Sequence, residues 1–284
     1  MRRRPQYDRR AHGAAIGRRT VKAEVVVLGS GTSSGVPTLG FEYPESFLAN
    51  PKNHRSRPSI LFRTELGNVL VDCAPEMRLQ LFQEGVLSVE CVIVTHGHAD
   101  HIMGLDDVRR FNELQGGPIP LFAQESVLRD VERVFRYAFA PPDQPGGGLP
   151  SYDLRPVSQH LQVGDIHIET FLVLHGSLPV LGIRAGDFAY ITDVSRIPAE
   201  ARDLLTGLGT LVLDATREAP HPSHLCLSEA MELAQEIGAV TTYFTHLSHD
   251  FGYEETSARL PHGQRLAFDG LRIPVAGGHS QGSS

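Results

Sequence analysis

Thr95-His96-Gly97-His98-Ala99-Asp100-His101 packs three histidines and a carboxylate into seven residues, directly after the apolar run Cys91-Val92-Ile93-Val94. Imidazole and carboxylate without thiolate form a ligand set suited to Zn²⁺, Mn²⁺ or Fe²⁺. Burying that many ionisable groups costs several kcal/mol unless each is paired or metal-bound, so packing alone accounts for them poorly. Three further positions put a ligand-type residue at the end of an apolar or β-branched run: His175 after Val173-Leu174, Asp193 after Tyr190-Ile191-Thr192, and His246 after Thr241 to Thr245. Singly, each has a plainer reading. His175 precedes Gly176 and Ser177 and suits a turn, Asp193 suits a cap for the Ser195 to Ala201 segment, and Asp214 competes with Asp193 for any metal-bridging role.

The elements that must position these residues follow from period and punctuation. Cys91 to Val94 is a buried strand opening into a loop, the place where chemistry is usually carried. Lys22 to Leu28, Pro58 to Arg63, Asn68 to Asp72, Ile119 to Ala123, Ile166 to Leu174, Gly182 to Ala185, Phe188 to Thr192, Leu211 to Asp214 and Thr241 to Thr245 read as further strands. Glu65-Leu66-Gly67 and Gly186-Asp187 supply hairpin turns. Helices are expected over Pro75 to Glu84 with Met77, Leu81 and Phe82 inward, over Leu105 to Leu114, over Ser126 to Phe139, and over Leu227 to Ile237 with Ser228 as N-cap. Asp72 suits a cap before Pro75. The prolines and triple glycine between Ala140 and Pro150 preclude regular ladders, leaving a lid or dimer contact on one reading and a plain connection on the other.

Of 26 basic and 33 acidic residues, eight and one fall in the first 22, leaving 18 and 32 and a body near −14. A body that acidic is poorly suited to track a phosphate backbone, so nucleic acid is not the expected partner. Residues 1–22 read as a disordered basic extension, with an organelle-targeting or polyanion-binding arm as the alternative; residues 276–284 read as a flexible tail. Cys73, Cys91 and Cys226 are far apart and sit in or beside apolar stretches, as buried thiols in a reducing compartment do. With no apolar run near the ~20 residues of a membrane helix, a cytoplasmic location and no membrane partner are expected.

The complete H-x-H-x-D-H pattern resembles the metallo-β-lactamase superfamily, and the segment Gly29-Ser30-Gly31-Thr32-Ser33-Ser34-Gly35-Val36-Pro37 resembles its cyclic phosphodiesterase branch. That branch is related to tRNase Z and to the phosphoribosyl cyclic phosphate diesterase of phosphonate breakdown. The resemblance implies an α+β fold, an αββα four-layer sandwich over residues 23–275, with a two-metal site at the strand ends. Carried over by position, His96, His98 and His175 hold one ion, Asp100, His101 and His246 the other, and Asp193 bridges them; Zn²⁺ is the first expectation, with Mn²⁺ or Fe²⁺ as alternatives. Asp72 takes the place of the aspartate that supports the metal loop from behind. His224, 22 positions before His246, matches the branch's proton donor to a leaving alkoxide.

One departure is plain. Three cysteines that bind a structural zinc in the phosphonate-pathway enzyme, with a histidine three past the last ligand, are here Phe41, Tyr43 and Ser46, which leaves His249 without that role. The expected function is a metal-dependent hydrolase cleaving a small cyclic or linear phosphodiester with a hydroxide held by the two ions. The alternatives are a tRNA 3′-processing endonuclease, a glyoxalase II-like thioester hydrolase, and a non-catalytic metal-binding protein.

Overall fold

The computed structural model describes residues 22–140 and 148–276. Residues 1–21 of the basic extension, 141–147 of the Gly- and Pro-rich run, and 277–284 of the tail lie outside the described residues. The described residues form fourteen strands: β1 Lys22–Gly29, β2 Ser59–Arg63, β3 Asn68–Val71, β4 Cys91–Ile93, β5 Ile119–Ala123, β6 Tyr152–Pro156, β7 His160–Val163, β8 Ile166–His175, β9 Leu178–Ala185, β10 Phe188–Ile191, β11 Thr210–Asp214, β12 Thr241–Thr245, β13 Gln264–Leu266 and β14 Leu271–Ala276. They make two seven-stranded sheets, ordered β14-β1-β2-β3-β4-β5-β6 and β13-β12-β11-β10-β9-β8-β7. Each sheet is antiparallel at one end and parallel at the other: β3 through β6 run parallel in the first, β10 through β13 in the second. Lys22 pairs with Ala276, so the outermost ladder reaches one residue beyond each expected bound of the domain.

The alternation of a strand sends successive side chains to opposite faces, and here both faces are dry. Val25, Val27, Ile60, Phe62 and Ile93 meet Ile168, Ile183, Phe188 and Val212 between the sheets, where Phe62 and Phe188 pack edge to face at 5.6 Å. Their neighbours Val26, Leu61, Leu70 and Val92 face helices on the first sheet's outer side, and Val173, Ile191, Leu211 and Phe244 do so on the second. Burial on both faces explains the near-continuous apolar strands. Helices outside two face-to-face sheets are the expected αββα sandwich.

The helices depart from the sequence reading where packing overrides periodicity. Helix Met77–Gln83 buries Met77, Gln80 and Leu81 but leaves Phe82 exposed. Gln80 goes inward because its amide donates to Ser56 Oγ at 2.8 Å and to the Arg57 carbonyl at 3.0 Å. The expected helix over 105–114 is a 3₁₀ turn, Met103–Val108, followed by helix Arg109–Gln115 with Leu114 outward. The expected helix over 126–139 breaks at Phe135, whose ring turns into the core, giving Glu125–Val134 and Arg136–Phe139. Helix Leu227–Ile237 is capped by Cys226 rather than Ser228: Glu229 reaches back to accept from the Cys226 amide at 2.9 Å. Among the described residues no helix is long and apolar enough to cross a membrane.

Candidate metal centre

Six of the ligand-type residues singled out in the sequence stand at or just past the C-terminal end of a strand, Asp72 after β3, His96 after β4, His175 ending β8, Asp193 after β10, Asp214 ending β11 and His246 after β12, while His98 precedes the short helix Ala99–Ile102 that carries Asp100 and His101, and His224 lies in the loop before helix Leu227–Ile237. These strands end on one rim of the sandwich, which brings the residues together. Asp72, Asp193 and His246 have φ of +62°, +49° and +59°, and among the described residues they are the non-glycine residues with left-handed backbone. That conformation costs of order 1–3 kcal/mol per residue and gathers at functional sites.

Among the described residues four overlapping groups of potential ligand atoms form here: Asp100, His101, Asp193 and His246, fully buried; His96, His98 and Asp193; His175, Asp193 and His224; and Asp214, His224 and His246, so Asp193 belongs to three. His96 Nε2 and His98 Nδ1 converge to 2.9 Å. His101 Nε2 stands 3.4 Å from Asp100 Oδ2 and 3.2 Å from Asp193 Oδ2, and His246 Nε2 is 3.5 Å from both carboxylates. The ring of His175 is 5.2 Å from that of His98 and 4.3 Å from that of His224, so it closes the His96 and His98 side from the direction shared with His224.

The ring tautomers are set from behind. His101 donates from Nδ1 to Asp72 Oδ2 at 2.8 Å. Thr95 donates to Asp72 through its amide at 2.8 Å and its hydroxyl at 2.9 Å, and the hydroxyl oxygen accepts from His96 Nδ1 at 3.1 Å. On the second sheet Thr216 repeats the device, donating to Asp214 Oδ1 at 2.7 Å and accepting from His246 Nδ1 at 3.0 Å. His175 donates from Nδ1 to the Ser223 carbonyl at 2.6 Å. Each relay engages Nδ1 and turns Nε2 inward, the nitrogen that a metal ion would take. Asp72 therefore accepts from Thr95 and His101 behind the H-x-H-x-D-H loop; it does not cap helix Met77–Gln83, whose N-cap is Glu76.

The electrostatics call for cations. Burial alone would depress His101 and His246, yet Asp193 and its neighbouring carboxylates push His101 well above the usual imidazole range and His246 up to about 10. Burial would raise Asp193, but His246 and His101 hold it well below the usual carboxylate range, and Asp100 is held low by the same two rings. His96, which lacks so close a carboxylate, is driven down by burial and by His101. Meanwhile His101 Nε2 and His246 Nε2 are buried without a hydrogen-bond partner. Buried polar atoms rarely stay orphaned, and two imidazole lone pairs facing two carboxylates fit divalent metal ions.

Asp214 was legible only as a rival bridging ligand. It instead accepts from His224 Nδ1 at 2.8 Å and from the Val194 amide at 3.0 Å, and so holds His224 beside the cluster. The Asp214 and His224 pair, with the Thr95 and Thr216 relays, is what sequence reasoning missed; the signal was a strand ending in aspartate 10 residues before a histidine.

Comparison with known proteins agrees with this geometry. The Beta-lactamase superfamily domain matches residues 67–247. A crystal structure of a diphosphatase from the PhnP family is 39% identical, covers 88% of this chain and 97% of its own, and superposes with a TM-score of 0.81. The chain belongs to the metallo-β-lactamase superfamily, in its PhnP-like branch. Among curated relatives of this superfamily member, an octanoyltransferase of Porphyromonas gingivalis is 32% identical over 88% of this chain, which spans about half, 51%, of that relative. A ribonuclease Z of Aeropyrum pernix is 24% identical over 89% of this chain and 99% of its own length. A PhnP-like metallo-β-lactamase fold carrying this cluster is a hydrolase fold with a site suited to divalent metal ions.

Where the phosphonate-pathway enzyme has its structural zinc, the chain has an aromatic cluster. Phe41 packs on His249 at 4.2 Å and on Tyr43 at 4.8 Å, and Tyr43 stacks on Phe47 at 4.9 Å. The loop after His246 is tied down by Arg55, a buried guanidinium that donates from Nη1 to the Ser248 carbonyl at 3.2 Å and from Nη2 to the Phe251 carbonyl at 2.7 Å.

Proposed function

We propose that the chain is a dinuclear metal-dependent phosphodiesterase that cleaves a small cyclic or linear phosphodiester, with His224 giving the proton to the departing oxygen. His96, His98 and His175 would hold one ion, Asp100, His101 and His246 the other, with Asp193 between. Two divalent ions so held, zinc first among them, supply a water nucleophile at neutral pH and neutralise the phosphate oxygens. The protein's own part is orientation. Asp72 and Asp214 fix the ligand rings through Thr95 and Thr216, and Asp100 sits in the buried group where it can take a proton from the attacking water.

The single observation that carries the reading is the placement of His224. Asp214 secures its Nδ1, and a ring nitrogen lies within 4.8 Å of ligand atoms of both His175 and Asp193, so the imidazole stands at the cluster's rim with its second nitrogen free for a substrate. A departing alkoxide needs such an acid; a departing thiolate, as in thioester hydrolysis, does not. Diphosphate cleavage, named for the 39%-identical structure, is the second reading, because it breaks a phosphate P–O bond with the same machinery. tRNA processing fits less well, given the acidic body. Octanoyl transfer through a thiol is disfavoured as well: all three cysteines are buried, and burial pushes Cys91 up to about 12 and Cys73 well above its ordinary value.

Purified, metal-analysed protein should be assayed on bis(p-nitrophenyl) phosphate, 2′,3′- and 3′,5′-cyclic nucleotides, a dinucleoside diphosphate, a pre-tRNA and S-lactoylglutathione. A small phosphodiester is expected to give the highest kcat/KM. Preference for the thioester or the pre-tRNA would overturn the reading, and preference for the diphosphate would replace it with the second.

A further inference from the structure

The hairpin of β7 and β8 carries a second constellation of metal-ligating side chains. Its register sets His160 opposite Glu169 and Gln162 opposite His167. Leu161, Ile166 and Ile168 are buried between the sheets, so strand alternation forces His160, His167 and Glu169 together onto the outer face. There the two imidazoles stack at 5.5 Å with planes 17° apart, and His160 Nδ1 stands 3.8 Å from Glu169 Oε1. One ligand atom from each of the three lies within 4.8 Å of the others. We propose that this face is a separate binding site for one divalent ion of the zinc class, held by His160, His167 and Glu169 with water completing the coordination.

Two imidazoles and one carboxylate are a known zinc donor set, and bonds of about 2.0–2.2 Å place tetrahedral ligands roughly 3.3–3.5 Å apart. The three groups thus need to close by about 1 Å, within reach of side-chain rotation on an exposed surface. Neither ring makes a side-chain hydrogen bond there. Arg184 pairs with Glu169 Oε2 at 3.8 Å, but it also donates to the Gly186 carbonyl at 3.0 Å and the Leu204 carbonyl at 2.6 Å, so its hold on the carboxylate is shared and Oε1 faces His160. The site is independent of the main centre. His167 and His175 lie on the same strand eight residues apart, about 26 Å at the rise of an extended chain, and no ligand is shared. β7 is a four-residue edge strand, and an ion joining His160 to His167 and Glu169 would pin it to β8.

The test is a zinc titration by calorimetry of tag-free, full-length protein carrying its resident metal. Wild type is expected to take up one further equivalent that His160→Ala/His167→Ala does not, with turnover of the phosphodiester unchanged. Glu169→Gln should weaken the same equivalent by tenfold or more, an effect that does not depend on losing either imidazole. His98→Ala, which disturbs the main centre, should keep it, so failure of the hairpin site and failure of the dinuclear reading are told apart. Equal uptake by wild type and the double variant, or no additional equivalent in wild type, would overturn the proposal.

Discussion

His224→Ala separates diester chemistry from the other hydrolyses this scaffold supports. The ring is held at 2.8 Å by a fully buried carboxylate, and its side chain is 12% exposed, so it meets substrate in a fixed orientation. A positioned general acid contributes about 10²- to 10⁴-fold when the leaving group is basic, equivalent to about 3–5 kcal/mol of barrier at 1.36 kcal/mol per decade. The variant should therefore lower kcat/KM for an alkyl phosphodiester or cyclic phosphate by that factor. For a nitrophenyl diester, whose leaving group departs unaided, the loss should stay under about tenfold. Metal content should match wild type, because His224 is not among the seven residues proposed as ligands, although it lies within 4.8 Å of His175 and Asp193, and its Nδ1 is taken by Asp214. kcat/KM for both substrates, with elemental analysis of the same preparations, decides it: parallel losses, or loss of metal, would remove His224 from the chemistry.

Three other perturbations test the support of the site. Asp72→Ala removes the acceptor of His101 Nδ1 and of Thr95, and should weaken metal binding by about 10–100-fold, measured by competition with a chromogenic chelator. Arg55→Met strands the carbonyls of Ser248 and Phe251; at about 1–3 kcal/mol for each buried group left unpaired, urea unfolding should show a loss of roughly 2–6 kcal/mol. Gly104→Ala would put a Cβ 2.1 Å from the Ala74 carbonyl oxygen and 2.8 Å from Met77 Cβ, overpacking the turn behind the metal loop, and should cost about 1–3 kcal/mol in the same assay.

What was legible in the sequence is what the chain states locally. Short β-branched runs ending in His or Asp announced strands whose ends converge, and the seven residues expected as ligands gather in overlapping groups around Asp193, His175 with His224 rather than with His96 and His98. What was not legible depends on partners distant in the chain. Phe82 satisfies helical periodicity yet faces solvent, because Gln80 finds Ser56 and Arg57 and takes the inward place. Cys226 rather than Ser228 is the cap of a helix that begins at Leu227 as expected, because the isolated bridge between Arg217 and Cys226 holds Cys226 in extended backbone just before it. Asp214 resembles Asp193 in sequence, both ending apolar strands; only the approach of His224 and Thr216 from the following loop gives it a different task.

The left-handed backbone at Asp72, Asp193 and His246 sets a direction for evolutionary drift. Glycine at any of the three would relieve a strained conformation at the same moment that it deletes a proposed ligand or its proposed support. Loss of the centre is thus rewarded by an easier backbone, and only selection for turnover opposes it. In a lineage freed from that selection, the first substitutions to spread should be glycine, or asparagine, at these three positions, leaving a fold that is easier to form and holds no metal. The same bias would mislead an engineer ranking substitutions by folding stability alone, for whom the three most improvable backbone positions are the ones on which the centre is built.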